Sequence, residues 1–155
     1  MAKVERVGYP KITIGFYMKD KVFVDTSAFY ALADRDDVNH KKVENTYRSL
    51  IAKNTVFVLT DHILSETATL IRRRLGYIPS IEFLRLIEEG QGVELFEVII
   101  VGKEYLQKAK KIFIARTDIK YSFVDALSFA IMREENIIKY LAFDKHFQIE
   151  GFKNA

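Results

Sequence analysis

The stretch KVFVDTSAFYAL, residues 21–32, places Asp25 directly after a short apolar run. Residues 22–24 have the composition of a buried strand, and a helical pattern opens at Thr26. A strand that is followed at once by a helix is the basic unit of an α/β protein. Two roles for Asp25 remain open. It can cap the helix, with Thr26 or Ser27 as competitors, or it can face the crevice where open α/β sheets bind ligands.

The rest of the chain repeats this alternation of short β-rich runs and longer helical patterns. Strands are predicted at 22–24, 56–59, 95–100 and 140–143. Helices are predicted at about 26–34, 38–53, 61–75, 79–89, 102–116 and 122–135. Such alternation predicts right-handed βαβ crossovers and a mainly parallel central sheet with helices on both faces, which is an α/β fold.

The first twenty residues do not follow this scheme. Ile12, Ile14, Phe16 and Met18 alternate as in a strand, so residues 1–20 are predicted to form an added edge strand or an arm to a partner. The chain has only two prolines and seven glycines and contains no linker-like segment. We therefore expect a single domain over residues 21–153.

Composition limits the classes of function. With 155 residues, of which 49% are apolar and 29% charged, the chain has the profile of one globular domain. The absence of cysteine excludes disulfides and thiolate metal sites. No apolar run approaches a membrane span and no secretory signal is evident, so we expect a cytoplasmic protein without a membrane partner. A net charge of +3 favours a polyanionic partner only slightly.

Two further acids lie within predicted helices. Glu66 falls at one margin of the buried stripe of helix 61–75, where a carboxylate reaches either a cleft or solvent. Asp125 belongs to helix 122–135, whose apolar residues spread around the whole helical wheel. A buried carboxylate must be paired, protonated or bound to metal. Because Ser122 precedes Asp125 by three residues, a capping box is an equally good explanation.

A fourth acid, Asp144, follows the apolar strand 140–143 and so repeats the placement of Asp25. The segment after it, DKHFQIEGF (144–152), is short and broken by glycine. Helix capping is therefore a weak explanation, and a ligand or a loop-pinning role is favoured.

The four acids are more informative together than singly. Parallel strands end at the same edge of a sheet, and the helices that follow them begin there, so Asp25, Glu66, Asp125 and Asp144 are predicted to converge. Four carboxylates in one crevice would repel one another strongly without a cation. Oxygen ligands select hard divalent ions, Mg²⁺ or Mn²⁺. Such ions activate water and stabilise the transition state of phosphodiester hydrolysis.

Four blocks of the sequence resemble the signature blocks of PIN-domain ribonucleases, specifically the VapC toxins of type II toxin–antitoxin pairs. The blocks are VFVDTSAFYALADRDDVNH, LSETATLIRRRLG, SFVDALSFAIMREENI and LAFDKHFQIEGF. They occur in the family's order and cover about residues 21–153. The family's four metal-binding acids match Asp25, Glu66, Asp125 and Asp144, and its small hydroxyl residue matches Ser27, which would position water or metal.

This resemblance implies a three-layer α/β/α PIN fold and cleavage of single-stranded RNA that depends on Mg²⁺ or Mn²⁺. It also implies a homodimer that is inhibited by a small antitoxin. Separately, Arg73 is predicted on the Glu66 side of its helix and is a candidate phosphate contact, although cations also favour a helix C-terminus. His40 and His146 show no partner acid at a readable spacing.

Two other functions compete with this interpretation. A haloacid-dehalogenase-like phosphatase also places an aspartate after the first strand, but it needs a second acid two residues later, where this chain has Ser27. A catalytically silent PIN-like module for RNA binding or assembly is the other alternative. The intact set of acids argues against the silent module, and metal binding would separate the two.

Overall fold

A computed structural model of the chain describes residues 19–155. Its strands are β1 (Lys21–Val24), β2 (Val56–Thr60), β3 (Phe96–Ile99), β4 (Lys139–Leu141) and β5 (Lys153–Asn154). Its helices are α1 (Thr26–Ala33), α2 (His40–Ala52), α3 (Asp61–Arg74), α4 (Tyr77–Gly92), α5 (Lys103–Ala115), α6 (Phe123–Glu134) and α7 (His146–Ile149).

The strands form one sheet in the order β3-β2-β1-β4-β5, and every pair is parallel. The chain first moves from β1 outward to β2 and β3, and later returns to pair β4 with the free side of β1. The strand order therefore reverses between β1 and β4. In open parallel sheets a crevice forms at such a reversal, outside the carboxyl ends of the strands. Asp25 follows β1 and Asp144 follows β4, so both acids lie at this crevice.

One face of the sheet is built from aromatic residues in register. Phe57 of β2 pairs with Phe96 of β3, and both rings stack against Tyr47 of α2. Phe29 of α1 packs against Phe96 and against Phe83 of α4. Helices α1, α2 and α4 therefore cover this face, with a core of stacked and edge-on rings.

The opposite face uses the other side chains of the same strands, since residues alternate across a sheet. Phe23 pairs with Tyr140 in the parallel register of β1 and β4. Both rings pack on Phe147 of α7, which in turn contacts Phe129 of α6. Seven consecutive residues of α6, from Ala126 to Met132, are buried, as expected for a helix that is apolar all round. The result is the predicted three-layer α/β/α arrangement.

The differences from the predicted elements lie mainly at the C-terminus. No helix or strand was predicted after residue 143, because the segment is short and broken by glycine, but it holds the one-turn helix α7 and the edge strand β5. Both are too short to give a periodic signal in the sequence. They are held in place by Phe147, which is fully buried and whose carbonyl accepts from the backbone N–H of Phe152 at 3.0 Å. Of the predicted extension at residues 1–20, only Lys19 and Asp20 fall among the described residues, where they pair with Glu94 and Lys139. The alternating residues 12–18 lie outside them. No helix among residues 19–155 is long and apolar enough to span a bilayer.

Helix α4 extends to residue 92 rather than ending at 89, and it includes Gly90. The missing side chain at this position has a packing role, because a Cβ there would lie 2.2 Å from Cδ2 of Phe96. The glycine lets the helix approach β3 closely enough to press on the aromatic cluster. A helix that packs this tightly tolerates no added methyl group.

We therefore expect Gly90→Ala to destabilise the protein by about 1–3 kcal/mol, although alanine favours a helix by about 1 kcal/mol over glycine. Gly92→Ala, on the same helix with no atom within 4 Å of the new Cβ, is the matched control and should be neutral or slightly stabilising. Urea unfolding of the three proteins measures the difference. Equal stabilities for the two variants would contradict the packing role of Gly90.

Candidate metal centre

Asp25 occupies the junction of β1 and α1, where both of its predicted roles meet. It is the N-cap of α1, and its Oδ2 accepts hydrogen bonds from the backbone N–H of Ser27 at 3.0 Å and from the Ser27 hydroxyl at 2.6 Å. Its backbone N–H donates to the carbonyl of Leu141 in β4 at 3.0 Å. Only 8% of the residue is exposed. Because capping uses one carboxylate oxygen, the other is left for a ligand.

Ser27 joins the ends of the two central strands. Its hydroxyl donates to Asp25 and accepts from the backbone N–H of Phe143 at 3.1 Å. Phe143 is the residue immediately before Asp144. The hydroxyl therefore orients one acid directly and holds the segment that carries another.

Glu66 approaches from α3 and is exposed. Its Oε2 accepts a hydrogen bond from the Thr26 hydroxyl at 2.8 Å, and the Thr26 oxygen accepts from the Thr67 hydroxyl at 3.2 Å. Thr26 and Thr67 are both buried. This chain of hydroxyls anchors one oxygen of Glu66 beside the first residue of α1, next to Asp25.

Asp125 forms the capping box that its spacing from Ser122 suggested. The Ser122 hydroxyl accepts from the Asp125 backbone N–H at 3.0 Å, and Asp125 Oδ2 accepts from the Ser122 backbone N–H at 2.8 Å. The carboxylate is nevertheless turned toward the crevice, because the same Oδ2 lies 3.4 Å from Nδ1 of His146. Capping therefore orients Asp125 without removing it from the cluster.

Asp144 and His146 lie where the chain passes from β4 into α7, and both approach Asp125. Oδ1 of Asp144 accepts from the backbone N–H of His146 at 2.9 Å, which fixes the two side chains on one tight turn. Nδ1 of His146 lies 3.9 Å from the same oxygen. Ligand atoms of Asp125, Asp144 and His146 all lie within 4.8 Å of one another. Within residues 19–155, these three residues form a group whose spacing could hold a metal ion.

The electrostatics of Asp25 reflect its place beside this cluster. Its pKa is raised from 3.8 to about 6, mainly by burial and to a smaller extent by the negative charges of Asp144 and Asp125, while the two hydrogen bonds from Ser27 act in the opposite direction. Burial and the charge of Asp125 also raise the pKa of Asp144. Without a cation, ionised carboxylates in this crevice are therefore unfavourable.

The donor set fits a divalent metal. It offers carboxylate oxygens from Asp125 and Asp144 and from Asp25, whose pKa is raised by both of their charges, and Glu66 is bonded to Thr26 next to Asp25. Among the described residues, Nδ1 of His146 is the buried side-chain nitrogen or oxygen without a hydrogen-bond partner. A bound cation would satisfy this nitrogen and offset the repulsion between the acids.

A groove of about 470 Å³ runs from this crevice along α3 and is lined by Glu66, Arg73, His62 and Val124 among others. Arg73 thus faces the groove, whereas Arg72 stacks on the ring of Tyr77, 4.4 Å from its centroid. Asp61 lies within hydrogen-bonding distance of Nδ1 of His62, at 3.0 Å. The groove therefore presents the guanidinium of Arg73 and the imidazole of His62 beside Glu66, a candidate metal ligand.

Reasoning from the sequence misjudged His146 and overlooked His62. His146 was judged to lack a partner acid, which is wrong: Asp144 precedes it by two residues and Asp125 approaches from another helix. His62 was not considered, although Asp61 beside it was a readable signal. His40 is structural, since its Nδ1 bonds the carbonyl of Ala31 at 2.8 Å.

With a parallel α/β/α sheet and acids gathered at its reversal point, the chain belongs to the PIN domain family, whose model matches residues 22–151. It is 33% identical over 134 residues to a protein described as 23S rRNA-specific endonuclease VapC20 in two strains of Mycobacterium tuberculosis. The match covers 84% of this chain and 95% of that relative. The crystal structure of M. tuberculosis VapC20, described as a sarcin–ricin loop cleaving toxin, superposes with a TM-score of 0.76 at 32% identity and similar coverage. This chain is therefore a VapC-like member of the family.

The pKa of Asp25 makes a prediction about pH. The unfolded chain releases this proton near pH 3.8 and the folded chain near pH 6. The metal-free fold should therefore lose stability as pH rises through this window, by on the order of 3 kcal/mol at pH 7. Asp25→Asn keeps an acceptor for Ser27 and removes the charge. In EDTA it should melt several degrees higher than the wild type at pH 7, with a flatter profile between pH 4 and 7.

Thermal melts in EDTA across this range measure the effect. Glu88→Gln, which neutralises an exposed acid on α4, is the control and should retain the wild-type profile. A wild-type pH profile in Asp25→Asn would show that Asp25 ionises as easily in the folded chain as in the unfolded one.

Proposed function

We propose that this protein is a metal-dependent endoribonuclease, the toxin of a toxin–antitoxin pair, which cleaves RNA at the crevice between β1 and β4. The observation that carries the proposal is that ligand atoms of Asp125, Asp144 and His146 lie within 4.8 Å of one another, while Asp25 is close enough for the charges of both acids to raise its pKa. Similarity to VapC20 over almost the whole relative supports the reaction class. The phosphatase alternative is not retained, because the chain belongs to another family.

Mg²⁺ or Mn²⁺ is the proposed cofactor, held by Asp25, Asp125 and Asp144 with Glu66. When bound, such an ion lowers the pKa of a water molecule and neutralises charge that develops on a phosphodiester. Other side chains of the protein orient these proposed metal ligands. Ser27 holds the carboxylate of Asp25, Thr26 anchors Glu66, and the Ser122 capping box orients Asp125. Catalytic geometry is thereby built into the turns that begin α1 and α6.

Cleavage should require the metal and the acids. RNA should be cut in Mg²⁺ or Mn²⁺ and protected by EDTA. Even outer-shell partners of metal ligands contribute about 10- to 100-fold, so Asp144→Asn should lose at least about a hundredfold in cleavage rate. Glu88→Gln, the exposed control on α4, should retain the wild-type rate. Cutting that persists in EDTA would exclude this mechanism, and metal binding without cutting of any RNA would favour the silent RNA-binding module.

The choice of RNA is a second part of this proposal. We expect single-stranded loops to be cut, since an unpaired strand can be splayed over a protein surface. The relative is described as specific for 23S rRNA, and its crystal structure is described as that of a toxin that cleaves the sarcin–ricin loop. That loop, compared with an unstructured RNA of equal length in the same cleavage assay, is therefore the first substrate to examine.

Arg73 is proposed to contact an RNA phosphate in the groove beside Glu66. For single strands the affinity falls with the logarithm of salt concentration with a slope of about 0.7 per phosphate contact. Arg73→Ala should therefore weaken RNA binding and reduce this slope by about 0.7. Arg72→Ala, the same change one residue away on the side facing Tyr77, should leave the slope unchanged. Equal effects of the two variants would assign Arg73 only a general charge effect.

The same acids suit a protein inhibitor. A guanidinium pairs with carboxylates through a planar fork of donors. We propose a small antitoxin that places an arginine among Asp25, Glu66, Asp125 and Asp144, acting on a homodimer of the toxin. In the cleavage assay, the antitoxin should protect RNA and lose this effect when its arginine is replaced by alanine. Protection that survives this replacement would place inhibition elsewhere.

A further inference from the structure

We infer that His146 is itself a ligand of the metal, through Nδ1, so that the centre combines one imidazole nitrogen with carboxylates rather than using oxygen alone. This inference rests on the proposed function, because it concerns the ion which that function requires. The residues matched by the family resemblance are acids and a hydroxyl. His146 is therefore an addition that comes from the geometry of this chain.

The first argument is distance. Two donors that share an ion at about 2.1 Å each lie at most about 4.2 Å apart. Nδ1 of His146 lies 3.4 Å from Asp125 Oδ2 and 3.9 Å from Asp144 Oδ1. Both separations are compatible with one shared ion, and both are longer than an ordinary charge-assisted hydrogen bond.

The second argument is that Nδ1 lacks a partner. It is buried, and within residues 19–155 it makes no hydrogen bond, although two carboxylates lie beside it. A histidine that served only as an ion-pair partner would turn its N–H onto one of the oxygens. With the proton on Nε2, Nδ1 instead offers a lone pair to the space that it shares with Asp125 and Asp144.

The third argument is that neighbouring side chains hold the His146 ring in place. Tyr121 packs edge-on against the His146 ring with centroids 5.3 Å apart. The Tyr121 hydroxyl donates to Glu150, which also accepts from Arg116 at 2.7 Å and from Arg133 at 2.5 Å. The Glu150 side chain is only 7% exposed. These contacts hold residues at both ends of α7 and so limit the movement of the His146 ring.

A nitrogen donor has a chemical consequence. Imidazole binds later first-row ions such as Co²⁺ better than it binds Mg²⁺ or Mn²⁺, which suit oxygen ligands. We therefore expect His146→Asn, which replaces the nitrogen ligand by a hard amide oxygen, to lose about tenfold or more in Co²⁺ affinity. Its affinities for Mn²⁺ and Mg²⁺ should fall less, so the ratio of Co²⁺ affinity to Mg²⁺ affinity should be smaller in the variant than in the wild type.

The direct test is pulsed EPR of the full chain loaded with Mn²⁺. The wild type should show coupling of the ion to an imidazole nitrogen. His146→Ala should lose this coupling, and the control His62→Ala, which removes a histidine from the neighbouring groove, should retain it. Calorimetric titrations with Mn²⁺, Co²⁺ and Mg²⁺ on the wild type and His146→Asn measure the affinities.

The outcomes separate this inference from the proposed function. If Mn²⁺ binds and RNA is cut, but the wild type shows no nitrogen coupling, His146 is not a ligand and only the inference is overturned. Coupling that survives His146→Ala overturns it equally. A wild type that binds none of the three ions would remove the proposed metal mechanism and the inference together. If His146→Ala fails to fold, His146→Asn and His62→Ala still assign the coupling, which should be lost in the first variant and kept in the second.

Discussion

The parallel pairing of β1 with β4 is the contact on which the rest of the molecule depends. It places Val24 beside Leu141, and the ladder continues for one more hydrogen bond, from the backbone of Asp25 to Leu141. The two strands are separated by more than a hundred residues in sequence, so local propensity cannot bring them together. Once paired, they deliver two acids to one edge, and the Ser27 hydroxyl closes the gap between the two turns.

This arrangement carries a cost in stability. An acid that is 8% exposed and faces other acids is easier to hold protonated than charged. Natural folds commonly retain such strain at functional sites and compensate for it elsewhere. Here the compensation lies in the aromatic packing on both faces of the sheet, from the Tyr47–Phe57–Phe96 stack to the rings around Phe147. The rigid sheet then holds the acids close despite their repulsion.

The capping interactions show how one side chain serves two purposes. For Asp25 and Asp125, the sequence left capping and ligand roles as alternatives, but the structure makes them compatible. Each acid uses one oxygen to satisfy backbone N–H groups at the start of its helix, and this bond fixes the direction of the whole carboxylate. A capping acid at the carboxyl edge of a parallel sheet is oriented before any ion arrives, so less ordering is needed on binding.

The sequence by itself determined the α/β alternation, the position of each acid relative to its strand or helix, and the burial of α6. These properties follow from local periodicity and from the fact that parallel strands end at a common edge. Only the tertiary structure decided that α7 and β5 form, that Glu66 is tethered through Thr26, and that His146 lies between Asp125 and Asp144. Each of these depends on contacts between residues far apart in the chain or on elements of about one period, which are too short to show a repeating pattern. A single histidine in a short turn carries no periodic signal, and its surroundings exist only after the sheet has formed.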